Sequence, residues 1–195
     1  MHELAPIITA LARHRPRRNR WRKRLARAAV AVVLRESAQG AQVLLVERAH
    51  RPGDPWSGDM AFPGGRVDAE DEASASRAAR RECFEEVGLA LDRQHDIGRL
   101  SDQLSPDHRR RALMVISPFV YRWPDAGRLQ TNHEIAGIEW VTLGWLAEHA
   151  HRQRLDWLVG PISLSMPSYA LQGQRRLWGL TLRMLDELLV IGAGN

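Results

Sequence analysis

Arg81, Glu82, Glu85 and Glu86 lie within six consecutive positions of a stretch dominated by Ala, Arg and Glu. On a helix, residues three and four apart share one face within about 5 to 6 Å, so three carboxylates would converge there beside one guanidinium. Like charges that close repel, by roughly a few tenths of a kcal/mol per pair, and this predicts a cation above them. A hard divalent ion, Mg2+ or Mn2+, suits oxygen ligands, keeps several waters and leaves positions for the phosphate oxygens of a substrate. A solvated helix face, with Arg81 pairing Glu85 at i, i+4, would account for the same residues without an ion. The upstream context favours the ion. Phe62-Pro63-Gly64-Gly65 closes an apolar segment with two glycines, which permit a tight turn and close backbone approach, so that a carbonyl oxygen can face the same charge.

The elements that must position these groups follow from local pattern. The acidic cluster falls in a helix predicted over Ala73 to Val87, with Gly88 placed to end it in a left-handed conformation. Apolar runs predict buried strands at Ala28–Leu34 and Val43–Val46, with further strands at Met60–Phe62, Ile97–Leu100, Met114–Tyr121 and Ile135–Thr142. His50 to Asp59 holds Pro52, Gly53, Pro55 and Gly58 and reads as a loop over the site. A polar loop with Ser105, Pro106 and the run Arg109-Arg110-Arg111 separates two of the strands. Helical segments are expected at Ala5–Leu11 and Leu143–Ala150, and an amphipathic helix carries Trp178, Leu182, Leu185 and Leu189. Arg152 to Gln174 reads as largely irregular.

A chain of 195 residues is long enough to bury one core of its own. No apolar run approaches the roughly 18 residues a membrane span requires, and no secretory leader pattern opens the chain, so a cytoplasmic protein without a membrane partner is expected. The single cysteine, Cys83, falls inside the acidic helix and reads as a packed thiol. Charge is uneven. Nine of the 28 basic residues lie between Arg13 and Arg27 with no acid among them, leaving 19 basic against 23 acidic residues elsewhere. Residues 1–27 are therefore set apart as a basic arm or helix preceding a single domain at 28–195. A solvated arm is the simpler account of it, and attraction to phosphates, nucleic acid or an anionic surface the sharper one.

Taken together, Arg81-Glu82-Cys83-Phe84-Glu85-Glu86-Val87-Gly88-Leu89 resembles, at every position, the second half of the Nudix hydrolase signature. The first half departs from it. Asp71 stands five residues after Gly65 where glutamate is usual, and nine residues instead of seven separate it from Arg81. Two additional residues inside the helix would rotate Asp71 by about 200°, so they are expected at the loop-to-helix junction, Glu72 to Ser76. The resemblance implies an α/β/α sandwich around a mixed sheet and metal-dependent attack of water on a diphosphate phosphorus. It also implies roles: Glu82, Glu85, Glu86 and the Gly65 carbonyl as metal ligands, and Arg81 as the group orienting a carboxylate. Glu134, before the last of these strands, is the candidate general base, with an exposed loop acid or a box glutamate as the base kept open as alternatives.

Within the family the chain is most similar to the coenzyme A diphosphatase-like subgroup, on Phe62-Pro63-Gly64-Gly65 followed by Asp68 and Asp71, on Pro118-Phe119-Val120 and on Trp178-Gly179-Leu180-Thr181. It departs from that subgroup over Glu47 to Gly58. The implied substrate is coenzyme A or an acyl-CoA. Other diphosphates, a dinucleotide, a nucleotide sugar or 5′-triphosphate RNA, are the alternatives within the family, and a non-catalytic nucleotide sensor is the alternative outside enzymes. Arg48, Arg51 and Arg66 are candidates for phosphate contacts, as is the Arg109 to Arg111 run, and Trp56 for stacking on a base. The expected partner is thus a small nucleotide diphosphate, with nucleic acid the lesser expectation and a homodimer admitted.

Overall fold

A computed structural model describes residues 3–53, 56–107, 112–123, 128–159 and 162–194. The Arg109 to Arg111 run lies outside the described residues. Strand β1 (Ala26–Arg35) is the centre of the main sheet. It runs parallel to β7 (Ala112–Arg122) and antiparallel to β2 (Gln42–Arg48) and β4 (Gly64–Arg66). A strand enclosed on both faces must be apolar throughout, and Ala28-Ala29-Val30-Ala31-Val32-Val33-Leu34 is. Side chains alternate between the faces: Val32 and Leu34 enter one core, and Ala29, Ala31 and Val33 the other. In β2, Val43 and Leu45 join the first core and Leu44 and Val46 the second.

The two cores are closed by helices on opposite sides of the sheet. The first takes α1 (Leu4–Arg13), α3 (Leu143–Ala147) and α4 (Gly179–Gly192), while the second takes α2 (Ala75–Val87) through Ala78, Ala79, Cys83 and Val87. The sheet is completed by β3 (Met60–Ala61), β5 (Asp96–Arg99), β6 (Gln103–Asp107) and β8 (Ile135–Thr142), with β5 at one end of the order β3-β2-β1-β7-β5. The result is an α/β/α sandwich around a mixed sheet. In the segment set apart as a basic arm, Leu4, Ile7 and Leu11 of α1 recur at helical spacing and are buried in the first core.

Three sequence expectations are corrected. Arg152 to Gln174 is not irregular: β9 (Gln153–Val159), β10 (Ile162–Ala170) and β11 (Arg176–Trp178) form a separate three-stranded antiparallel sheet. Pro167 disguised β10, because proline breaks a ladder. Its position is tolerated because β11 pairs only from Ser168 onward, so at Pro167 the strand has a partner on one side alone. Within the expected polar loop, β6 pairs with β7, the polar side chains of Gln103 and Ser105 being buried. Trp178 belongs to β11 and not to the final helix.

Candidate active site

The glycine turn is placed by β1. Ala28, Ala29 and Val30 pair with Arg66, Gly65 and Gly64, and the Ala31 amide donates to the Pro63 carbonyl at 2.8 Å. This approach leaves no room for side chains: a Cβ on Gly64 would overlap the Ala29 carbonyl and Val30, and one on Gly65 would fall on the Glu82 carboxylate. Hence the Gly65 backbone and the Glu82 carboxylate meet directly. The Gly64 amide donates to Glu86 Oε2 at 2.9 Å, binding turn and helix into one unit.

Helix α2 begins two residues later than the pattern predicts. Ser74 caps it, accepting from the Arg77 amide, and just before it Glu72 and Ala73 both take positive φ, 49° and 59°. This left-handed pair absorbs the additional residues between Asp71 and Arg81 without rotating the helix. A single 3-10 turn, Ala69–Asp71, then delivers Asp71 to Arg81. The carboxylate is 2% exposed and receives Arg81 Nε and Nη2, both at 3.1 Å. Burial alone would raise the Asp71 pKa, but the Arg81 hydrogen bonds, the Asp68 amide and the charges of Arg81 and Arg77 outweigh it and hold the group below the usual carboxylate range.

Arg81 is the hub of the site. Besides Asp71 it donates through Nη2 to the Arg66 carbonyl and through Nη1 to Glu82 Oε1 and Glu85 Oε2, each at 3.0 Å. Its own pKa is raised, chiefly by the hydrogen bonds to Asp71. The acids differ in environment. Glu85 is about half exposed, its side chain 48% accessible. Burial raises the pKa of Glu82, against the pull of Arg81 and with the push of Glu85 and Asp68. Glu86, 6% exposed, is pushed up to about 8, first by burial and then by Glu82 and Glu134, with the Gly64 amide and Arg48 opposing.

Two desolvated carboxylates, each raised first by burial and then by neighbouring acids, are under-compensated in charge, and their donor atoms are hard oxygens. That donor set fits Mg2+ or Mn2+. Among the described residues no group of three His, Cys, Asp or Glu side chains is posed to hold an ion unaided, as Arg81 engages one oxygen each of Glu82 and Glu85. Waters and substrate oxygens would therefore complete any coordination, as is usual for Mg2+. Cys83, on the core side of α2 one turn from Glu86, is fully buried, and its thiol pKa is pushed up by that burial and by the Glu86 charge.

Glu134 lies beside this cluster. Its carbonyl accepts the Ala49 amide at 2.8 Å and its amide donates to Asn132 Oδ1 at 2.8 Å, while the Asn132 amide bonds to the Glu86 carbonyl at 3.1 Å. The segment before β8 is thereby fastened to the C-terminal end of α2. The Glu134 carboxylate receives Arg51 Nη2 at 2.9 Å, and His133 Nε2 stands 3.8 Å away on the surface. Arg48 is near enough to Glu86 and Asp59 to lower the pKa of each. Trp56 sits half-buried on the same loop, which Gly58 and Ser57 fold back onto Arg48 and Arg51. Arg66 is on the glycine turn itself.

Two features were missed from the sequence. Asp59, 4% exposed, lies 3.1 Å from Arg176 Nη2, and burial raises its pKa against Trp178, Arg176 and Arg48. Asn132, the tie between Glu86 and Glu134, has no local signal, because its partners are distant in sequence.

The Nudix domain family model matches residues 25–158. The mitochondrial coenzyme A diphosphatase NUDT8 of Homo sapiens is 31% identical over 167 residues, covering 83% of this chain and 67% of that protein. NUDT8 of Mus musculus is 29% identical over 165 residues, covering 83% and 76%. An uncharacterized protein of Schizosaccharomyces pombe, C14C4.10c, is 35% identical over 106 residues, 52% of this chain but only 32% of that longer one. Among solved structures, a Nudix hydrolase from Alicyclobacillus acidocaldarius superposes with a TM-score of 0.58 at 18% identity, covering 85% of this chain and 91% of its own. A MutT/Nudix family protein from Enterococcus faecalis gives 0.56 at 19% identity, with 98% and 68% coverage. The chain belongs to the Nudix family, and its fold is the Nudix fold.

Proposed function

We propose that this chain is a metal-dependent diphosphohydrolase that cleaves coenzyme A or an acyl-CoA to adenosine 3′,5′-bisphosphate and a 4′-phosphopantetheine product. The observation that carries it is the pair of buried, under-compensated carboxylates, Glu82 and Glu86, held against the Gly64-Gly65 backbone. The names of NUDT8 in mouse and human, coenzyme A diphosphatases, support the substrate.

In this reading Glu82, Glu85, Glu86 and the Gly65 carbonyl would hold Mg2+ or Mn2+. Such an ion would supply neutralisation of diphosphate charge and acidification of a bound water. Arg81 orients Glu82 and Glu85 from a position braced by Asp71. Glu134 takes the proton of the attacking water as its oxygen bonds to phosphorus and the bridging P–O bond breaks, releasing the second phosphate as leaving group. Arg51 holds the Glu134 carboxylate in the ground state and is drawn with Arg48 and Arg66 toward the substrate phosphates. Trp56 offers a face for the adenine. Residues 28–195 act as one hydrolase domain with α1 docked on it. A cytoplasmic home, supported by the packed Cys83 thiol, completes the reading, whereas the two NUDT8 relatives are mitochondrial by name.

The test is a substrate panel of coenzyme A, its thioesters, dinucleotides, nucleotide sugars and 5′-triphosphorylated RNA, each with and without Mg2+ or Mn2+. Preferred, metal-dependent release of adenosine 3′,5′-bisphosphate from coenzyme A or a thioester is expected. A preference for any other diphosphate overturns the substrate, and no turnover of any member overturns the enzyme.

A further inference from the structure

Hydrolysis at Glu82–Glu86 makes no use of the basic segment between α1 and β1. Its seven cationic side chains, with Arg13 and Arg27 on either side, carry no ion pair among the described residues. Yet the segment is not a loose arm. Its backbone is fastened to the turn after β5: the Arg17 amide donates to Ser101 Oγ at 3.0 Å, the Asp102 amide to the Arg17 carbonyl at 2.9 Å, and the Asn19 amide to Asp102 Oδ2 at 2.8 Å. Farther along, Arg20 and Arg24 both lie over the half-exposed Trp21 ring, at 5.1 and 5.4 Å from its centroid. Pinning the backbone keeps these cations closer together than a flexible arm would, at a cost in electrostatic energy.

Two of these cations, Arg15 and Arg18, border an open cleft of about 590 Å³ at the β5 edge of the sheet, lined also by His14, Asp96, Arg99 and Phe119. Two of the neighbouring acids are already engaged. Asp102 binds Arg99 Nη2, Ser117 Oγ and the Asn19 amide, and Glu187 binds His14 and Ser101. Asp96 accepts the Gly98 amide at 3.1 Å and is the remaining carboxylate among the described lining residues. Arg99 uses Nη2 for Asp102 and Ser117, and its Nη1 meets no acceptor among the described residues. Burial lowers the Arg99 pKa, and although Asp102 opposes this, the charges of Arg22 and Arg18 add to it. The lining therefore sets Arg15 and Arg18, on a pinned backbone, and the Asp102-paired Arg99 against the single carboxylate of Asp96, around an open cleft.

We propose that this cleft binds the phosphate group of a small anion, at a site separate from the one that cleaves diphosphate. A phosphate offers acceptors for several guanidiniums at once: Arg15 and Arg18, which no acid pairs among the described residues, supply the charge that offsets it, and Arg99, already paired with Asp102, adds a donor. The cleft lies at the β5 end of the sheet, whereas the glycine turn pairs with β1, so the two places are distinct.

The experiment titrates the full chain, free of divalent ions, with inorganic phosphate while backbone amide shifts are followed by NMR. Saturable shifts at Arg17, Gly98 and Ser101 are expected. In the double variant Arg15→Ala/Arg18→Ala they should weaken by about tenfold or more, the remaining spectrum staying that of the folded parent. Neither residue is in the hydrolytic site, so turnover of the panel substrates is unchanged in the variant. The proposal is overturned by shifts that do not saturate, that are confined to Gly64–Arg66, or that persist in the variant. It is equally overturned if a short RNA oligonucleotide binds the segment with steep salt dependence while phosphate leaves these amides unmoved.

Discussion

Glu86 shows how one side chain can couple protonation, stability and ion binding. Its pKa in the folded chain, about 8, lies above the roughly 4.3 of an unfolded glutamate. The folded state therefore holds a proton that the unfolded state has released over that interval. For a raised carboxyl, stability is fully present below the unfolded value and declines as pH climbs through the folded one. In the absence of divalent ions, thermal melts should show this decline between about pH 4 and 8, and Glu86→Gln should flatten it. A wild-type profile unchanged by that substitution would contradict the assigned burial. Glu134 is tested separately. Glu134→Gln should lower kcat by about 10² to 10⁴-fold with the fold intact, and near-full turnover would remove it from the mechanism.

At the scale of elements, the site depends on three short pieces agreeing: the glycine turn, the left-handed pair and α2. Ala73 is held at φ 59°, a conformation unfavourable for a residue with a Cβ, so Ala73→Gly should stabilise the protein by about 1 kcal/mol in denaturant titrations. A loss of stability would show that the pair is not strained. Asp71→Asn breaks a buried ion pair and should cost about 3 kcal/mol and much of the activity, since Arg81 loses its brace.

The helix, its acid face and the glycine turn were legible because their signals are local: period, a terminal glycine and dense charge. The junction was also legible, since a rigid helix cannot absorb two residues without turning its face. The β9–β10 hairpin was not, because Pro167 and a serine-rich pattern mimic loop chemistry unless the one-sided pairing of β10 is known. The Asn132 tie and the burial of Asp59 depend on contacts between distant segments, for which no spacing rule exists.

For the whole molecule, the sheet separates support from chemistry. Helices α1 and α4 close the core opposite α2, and Ile7 is fully buried there. Ile7→Ala should cost about 3 kcal/mol in unfolding experiments while kcat/KM of the folded fraction stays within about twofold, because the lost methyl groups lie across the sheet from Glu86. A large fall in kcat/KM at full folding would show that the two layers are coupled.

The central claim is that Glu82, Glu85 and Glu86 share with the Gly65 carbonyl the task of holding divalent ions that also grip a diphosphate. Anomalous diffraction from crystals grown with Mn2+ and a non-hydrolysable diphosphate tests it directly. The account predicts manganese peaks against these oxygens, with Arg81 drawn away from at least one of the two glutamates it now joins and still bound to Asp71. A patch without manganese, with Arg81 still spanning Glu82 and Glu85, would contradict it.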